Sequence, residues 1–461
     1  MTDAVQDLVE RAQSASTADG CVVIASEHSE TNLRFASNSL TTNGQMQSRS
    51  VTVISTFDKA DGQSAGVVTR AITSVEEVDD LVRVSEAAGR NADVAEDSAP
   101  LVDNYPNDDD YAGEPARTSV AVFEQFAAAL GAEFERWRKA DRLLFGFAEH
   151  QMTSYYLATS TGLRRRFDQP DGRLELNGKS RDFSQSAWFS QHYPDYSDVD
   201  VAAVSAEVDR RLDWAAKTIE LPAGRYETIL PPTAVSDLII PVYWAASARD
   251  ADDGRSVFAK ADGTRIGERL ADLPFTWRSD PDDPQLRSAP FQIVTQSFGS
   301  MTSVFDNGAP TPAIDWIRDG VLTNLMRNRG YAAKTTTEPA LFVDGMSLDA
   351  GGTASIDEMV ASTERGLLLT CLWYLREVDP QTLLTTGLTR DGVYLVENGA
   401  VTAAVNNFRF NESPVDLLRR ATQVGRTEHT LSREWSDFFS RTAMPAMRIP
   451  DFNMSTVSQA F

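Results

Sequence analysis

Four histidines (His28, His150, His192 and His429) and two cysteines (Cys21 and Cys371) are the side chains in this 461-residue chain best suited to zinc. A helix-borne metallopeptidase site presents two such ligands three or four residues apart, so that both leave the same helix face. No two histidines here come that close. His28 lies in the polar string Glu27-His28-Ser29-Glu30-Thr31 and His192 precedes Tyr193-Pro194, so solvated or locally hydrogen-bonded imidazoles are expected. A Ser/His/Asp triad is not excluded, because its members need not be neighbours in sequence. The glycines at 62–66 and 351–352 have no Lys-Ser/Thr after them, which rules out a phosphate loop. Asp250, Asp252 and Asp253 before Gly254 imitate the start of a calcium loop, but the Glu that should close it is missing.

The remaining candidates are polar residues next to apolar strands: Arg376, Glu377, Arg409, Asn411 and Glu412. Charged groups there are either paired internally or turned toward a ligand or partner. These five are the candidate lining of a peptide channel or interface.

All five fall in residues 355–414, the stretch with the densest local signals. Ser355 and Glu358 spell a capping box, and Met359, Val360 and Thr363 continue a short helix toward Gly366, read as its left-handed cap. Residues 367–375 read as a buried strand, stopped by Pro380. Residues 382–388, 393–396 and 401–405 follow as strands. The turns between them contain Asp391-Gly392 and Asn398-Gly399, pairs that supply the positive φ of primed turns, so an antiparallel meander is expected. Ser413-Pro414 then opens a helix.

The wording of this stretch is specific as well. ERGLL (364–368), WYLREVDP (373–380), TGLTRDG (386–392), ENG (397–399) and NFRFNESP (407–414) occur in an order that resembles the TldD/PmbA family, also called the modulator of DNA gyrase family. RFASNSLTTNG (34–44) and the run RIPDFNMSTVSQAF (448–461) resemble its N-terminal domain and the ends of some members.

The resemblance implies a soluble zinc metallopeptidase fold. Catalytic members carry His-Glu-x-x-x-His on a helix and a Cys near the C-terminus. The corresponding helix here, 234–247, reads AVSDLIIPVYWAAS, without His, Glu or Cys, and 433–448 contains no Cys. The resemblance is therefore to the PmbA/TldE-type subunit, which lacks the ligands and pairs with a zinc-bearing TldD-type paralogue. No catalytic residue, metal ligand or cofactor is expected in this chain, with zinc expected in the partner and peptides as substrates. The alternatives are a non-proteolytic scaffold or binding protein of the same fold, and a stand-alone hydrolase with an unrecognised site.

The positioning elements follow from periodicity. Helices are expected at 3–15, at 74–91 behind a second capping-box pattern (Ser74, Glu77), and at 119–139. Strands are expected at 21–26, 33–36 and 51–57, with a loop over 95–115. Beyond 140 come strands at 143–147, 153–159, 163–167 and 174–176, the last reached through a turn at Asp171-Gly172, with Arg164, Arg165 and Arg166 as a solvated strand edge. A helix over 199–217 and a strand at 225–230 precede the helix noted above, which Pro241 should kink. Loops and short hairpins over 248–290, a strand at 291–296, partial helix over 312–328 and a strand at 340–344 complete the reading. The expected class is α+β: an N-terminal α/β sandwich over 1–140, then a β-rich domain over 141–461 with an antiparallel meander and packing helices.

Charge narrows the partners. The formal net charge of −24 repels phosphate backbones, so no nucleic-acid partner is expected. Residues 1–115 hold 21 acidic and 7 basic side chains, more than half of that excess. Both cysteines sit in apolar runs, which suits reduced, buried thiols. With no signal-peptide pattern and no apolar run of membrane-spanning length, no membrane association and a cytoplasmic location are expected.

Overall fold

The computed structural model describes residues 3–72 and 74–459; the first two residues of the chain and the last two of the run ending at 461 lie outside them. Helix α1 (Val5–Ala15) buries Val5, Leu8, Val9 and Ala12. After it come the strands β1 (Gly20–Ala36), β2 (Ser39–Lys59) and β3 (Gly62–Arg70) and the helices α2 (Val78–Asn91) and α3 (Glu124–Lys139). The strands β4 (Arg142–Thr159), β5 (Arg164–Ser180) and β6 (Ser186–His192) and the helix α4 (Val201–Trp214) follow. All six strands form one antiparallel sheet in the order β3-β2-β1-β4-β5-β6.

Strand parity assigns the two faces. Cys21, Val23 and Ala25 of β1 pack under α1 and α2, and Leu33 and Phe35, of the same parity, pack under α3 and α4. The alternate residues Val22 and Ile24 face Phe291, Val294, Phe305 and Leu341 from the second half of the chain. The first sheet is thus covered by its own helices on one side and by later loops on the other.

Several expectations need correction here. The first sheet runs on to His192, so a boundary at 140 would cut between α3 and the strand it packs on; β4, β5, β6 and α4 belong to the N-terminal unit. The separate short strands are halves of long ones, because polar residues such as His28 and Ser29 are paired on both sides, by β2 and β4. Asp171-Gly172 is no turn: it lies within β5, opposite Gln151 and His150. Arg164, Arg165 and Arg166 do lie on a strand edge, since β6 pairs only with residues 173–179 of β5, but the edge is covered and not solvated: the loop around Asp108 runs along it, and the three arginines pair with Glu10, Asp108 and Asp110 respectively. Ser74 makes no backbone cap, and a 3-10 turn at Val75–Glu77 leads into α2 instead.

A close contact fixes α2 on the sheet. A Cβ on Gly66 would collide with the Ser85 carbonyl and the Gly89 amide of α2. Gly66→Ala is expected to lower stability by about 1–3 kcal/mol, as overpacking does. Gly131→Ala in α3, where nothing lies within 4 Å, should leave it unchanged or raise it slightly. Urea unfolding of the two variants checks the pair.

The second half opens with β7 (Thr218–Ile219), β8 (Gly224–Leu230) and the helix α5 (Pro232–Trp244). Its 14-stranded sheet is built around the strand Thr442–Val457. That strand pairs antiparallel with β8, Phe408–Glu412 and Gln423–Thr430, and parallel with Met346–Asp349. α5 is apolar nearly all round and packs in the core of this unit. Pro241 lies inside it, yet the helix continues to Trp244 and the Ala245 N–H reaches the Pro241 carbonyl at 3.0 Å.

The capping box at Ser355 and Glu358 is present, with both backbone bonds made (3.2 and 2.8 Å), and it starts the helix Ile356–Ala361. Gly366 is not the cap; it sits in the strand Arg365–Leu369. The apolar run divides into that strand and Leu372–Asp379. Asp391, Gly392, Asn398 and Gly399 all have positive φ, as the turns required. The meander is interrupted, however. Leu384–Thr389 pairs with Leu372–Asp379 and Phe408–Glu412, whereas Val393–Glu397 pairs with Arg365–Leu369 and Ala400–Val405. Pro414–Arg420 is helical, as expected. Residues 291–296 and 340–344 form no extended strand, the nearby strand being Met346–Asp349. The partial helix expected over 312–328 is a hairpin, Ile314–Arg318 with Val321–Leu322.

Candidate functional site

α5 stands where the resemblance places the zinc-binding helix, and its polar groups are tied down. Ser236 Oγ shares a 2.9 Å hydrogen bond with Thr442 Oγ1. Asp237 Oδ1 accepts the Glu434 N–H at 2.8 Å, and the Asp237 carbonyl accepts the Trp435 indole N–H at 2.9 Å. Its Oδ2 has no partner among the described residues. Burial drives this carboxyl well above the ordinary carboxylate range, with the backbone N–H groups of Glu434 and Arg433 opposing the shift. Asp237 is therefore a buried carboxyl, biased toward its protonated form, held beneath residues 433–435.

Aromatic rings close the same helix. Trp435 packs edge-on against Trp244 with centroids 5.0 Å apart, and Tyr243 is enclosed by Trp277, Trp316, Phe342 and Phe439. The Tyr243 hydroxyl both accepts from the Val343 N–H and donates to the Val343 carbonyl, each at 2.9 Å.

The donors needed for zinc do not converge. Two of the histidines sit deeper than their sequence context implies: His150 lies within β4 and His192 ends β6, both buried. His150 uses both ring nitrogens, on Thr118 Oγ1 (2.7 Å) and the Pro194 carbonyl (3.0 Å); burial lowers its pKa despite that carbonyl. His28 Nδ1 meets Thr153 Oγ1 at 2.9 Å, and His192 Nε2 lies 3.0 Å from Asp171 Oδ1. Cys21 and Cys371 are buried free thiols, and burial pushes Cys21 up to about 11. Among the described residues, no three of His, Cys, Asp and Glu are placed to hold a metal ion, so this donor set does not fit zinc. One further string, Gly62-Gln63-Ser64-Ala65-Gly66, has the spelling of a nucleophile elbow, which the sequence reading missed. It lies in β3, and the buried Ser64 hydroxyl donates to the Gly89 carbonyl at 2.7 Å, so it is no elbow.

The five candidate residues do come together, on three adjoining strands. Arg376 and Asn411 oppose Thr386 from its two sides, Glu377 and Glu412 oppose Thr385, and Arg409 opposes Leu388. Their environments differ. Glu412 is buried, pairs with Arg420 and accepts the Asn453 N–H at 2.7 Å, an internal structural role. Arg376 pairs with Glu434 at 2.9 Å from an exposed position, and the Tyr374 N–H donates to the same carboxylate at 2.9 Å. Glu377 and Arg409 are exposed, with Arg409 reaching Thr386 Oγ1 at 3.2 Å, and Asn411 is half-buried.

Sequence reasoning also missed a cleft of about 650 Å³ between β4, β5 and the second half of the chain. On its wall the buried Arg441 contacts Asp171 Oδ2 at 2.8 Å, pairs with the Asp344 carboxylate and donates from Nε to the Asp344 carbonyl at 2.9 Å. Ser440 Oγ donates to Asp171 Oδ2 at 2.6 Å. Burial alone would raise the Asp171 carboxyl. His192, Arg441 and Ser440 outweigh burial and hold it well below the ordinary range. These partners lie far apart in the chain, so local patterning carried no sign of them.

Comparison with known proteins agrees with this architecture. Residues 223–456 match the family model described as the PmbA/TldA metallopeptidase C-terminal domain. No curated protein matches the chain. Among solved structures, TldE from Thermococcus kodakarensis is 15% identical and superposes with a TM-score of 0.79 over 98% of this chain and 99% of that one. A protein from Bacteroides thetaiotaomicron described as a modulator of DNA gyrase is 14% identical, with a TM-score of 0.75 over 98% of each chain. A protein of the same description from Thermotoga maritima is 17% identical, with a TM-score of 0.75 over 97% of this chain and 98% of that one. At these identities the structural likeness speaks for the fold, and no helix among the described residues is long and apolar enough to cross a membrane. The match over half its length, in the half that carries α5 and the strand Thr442–Val457, shows that the chain belongs to the PmbA/TldD metallopeptidase family.

Proposed function

We infer that this chain is the ligand-free subunit of a two-chain zinc metallopeptidase, acting on peptides and unfolded segments beside a zinc-bearing TldD-type paralogue in the cytoplasm. The observation that carries this reading is α5: where the family's catalytic helix bears its ligands, this helix has mostly apolar side chains, without His, Glu or Cys, and one buried acid, Asp237. Zinc and the general base belong to the partner.

The contribution of this chain is surface. Among the described residues, the strand Leu372–Asp379 pairs on one side only, with Leu384–Thr389, and its Tyr374, Arg376, Glu377 and Val378 are exposed. Apart from the Tyr374 N–H and the Leu375 carbonyl, which Glu434 and Arg376 take, the row of main-chain groups on the open side of such a strand accepts an extended chain through bonds that have little regard to sequence. Arg376, Glu377 and Arg409 border that row. Glu412 serves it only indirectly, by holding Arg420.

Elemental analysis tests the assignment. The purified chain should carry no zinc and no peptidase activity. Co-expressed with its zinc-bearing paralogue, it should yield a heterodimer with about one zinc and activity that a chelator abolishes. Stoichiometric zinc on the chain alone would refute the assignment.

A further inference from the structure

A second, smaller cavity of about 390 Å³ lies where β4, β5 and β6 of the first sheet meet the turn and strand around Cys371, Trp373 and Arg433. Trp373 belongs both to this cavity and to the open strand Leu372–Asp379, so the two features adjoin. The Arg433 guanidinium is packed between indoles, 4.0 Å from the Trp373 ring centroid and 5.3 Å from that of Trp188.

The cavity walls hold buried donors without partners. Neither the Trp188 nor the Trp373 indole N–H has an acceptor among the described residues, and Arg433 Nε has none either. Trp188 is 3% exposed, and its unpartnered N–H is shielded by the surrounding side chains. Three cations, Lys179, Arg390 and Arg433, and two carboxylates, Glu175 and Asp391, line the space. Lys179 lies over the Phe145 and Phe183 rings (5.9 and 5.8 Å), with no carboxylate within salt-bridge distance among the described residues. Arg390 is 3.6 Å from Asp391, and Arg433 is 3.8 Å from Glu175, both longer than charge-assisted hydrogen bonds. With three cations against two carboxylates, this aromatic-walled pocket keeps a positive excess in a chain of charge −24, and that excess matches one ligand group.

We propose that this cavity is a carboxylate site which receives the carboxylate of a bound peptide, with the neighbouring apolar side chain against the indole walls. This rests on the peptide-handling reading above and names its specificity: the open strand takes the main chain, and the cavity takes the acid. The carboxylate can come from the peptide's C-terminus or from an Asp or Glu side chain, and binding separates the two.

The test uses fluorescein-labelled octapeptides ending in leucine, as the free acid and as the carboxamide, and a third carboxamide with glutamate in the last position. Fluorescence anisotropy is read with the full chain, alone and with its zinc-bearing partner. The free acid should bind about tenfold or more tightly than the leucine carboxamide. Lys179→Gln, a half-exposed position that spares the core, should remove part of that difference and leave carboxamide binding unchanged. Arg433→Gln should remove more. Recovery of affinity by the glutamate carboxamide assigns the site to side chains, and no recovery assigns it to the terminus; either supports a carboxylate site. Equal binding of all three peptides overturns the site while leaving the peptide-handling reading intact. No binding of any peptide, with or without the partner, overturns both.

Discussion

Arg441→Leu is expected to lower the unfolding free energy by about 3–5 kcal/mol, the cost of removing one partner from a buried ionic cluster. Arg441 is almost fully buried and faces two carboxylates, Asp171 on β5 and Asp344 in the second half of the chain. The side chain of Asp344 is half exposed, and water can solvate it once the arginine is gone. Asp171 is better shielded and keeps only His192 and Ser440. The cost should therefore fall mainly on Asp171, toward the lower end of the range.

Acid provides the control. A carboxyl held below its unfolded value contributes stability that is complete above the ordinary carboxyl range and is lost as pH falls through the folded value. Wild-type protein should thus lose this contribution progressively as pH falls below the ordinary carboxyl range. The leucine variant, whose Asp171 no longer has that counterion, should show a shallower loss. Urea unfolding at pH 7 and pH 3 checks it, and a deficit of the same size at both values would contradict the ionic account.

Asp306→Asn should act with the opposite sign. Asp306 is 1% exposed and burial pushes its carboxyl up to about 7, against the Arg329 N–H and the Arg329 charge. The folded value is raised, so below about pH 4 the carboxyl is protonated in both states and costs nothing. Between there and about pH 7 the folded state holds a proton that the unfolded chain has released. Stability falls as pH rises across that window, and the penalty of an ionised buried carboxylate is complete above it.

A shift of about three units corresponds to roughly 4 kcal/mol at full ionisation. Asparagine keeps the oxygen that accepts the Arg329 N–H, yet adds amide hydrogens whose burial costs about 1–3 kcal/mol. The net expectation is a gain of about 1–3 kcal/mol at pH 8 and a loss of similar size at pH 4. Denaturant titrations at the two pH values should therefore cross, and parallel curves would show that Asp306 is not the titrating group.

What could be read in the sequence was what local chemistry decides. Ser355 and Glu358 fixed a helix start because both bonds of a capping box close within four residues. Asp391-Gly392 and Asn398-Gly399 marked turns because their backbones need positive φ. Features set by pairing at a distance could not be read. Leu384–Thr389 and Val393–Glu397 are adjacent in sequence, yet each finds its partners elsewhere, so a plain meander was the wrong topology. Asp171-Gly172 has the composition of a turn, but pairing with β4 on one side and the Tyr193 N–H on the Gly172 carbonyl on the other keep it extended. The five candidate residues fell on adjoining strands because their segments form one ribbon. Whether each was paired depended on Glu434 and Arg420, and only Arg420 lay near them in the chain.

The place of Thr442–Val457 at the middle of the second sheet has a consequence for how the chain is made. Its partner β8 leaves the ribosome more than 200 residues earlier, since Leu230 pairs with Met447. The first sheet consists of strands that mostly meet their sequence neighbours, and it can form while synthesis continues. β8 can pair with Arg365–Leu369 on one side, but its other edge of N–H and C=O groups must wait uncovered until that late segment arrives. Nascent chains halted before residue 442 should therefore hold a folded first sheet beside an open second one, and this interval is when the protein most needs a chaperone.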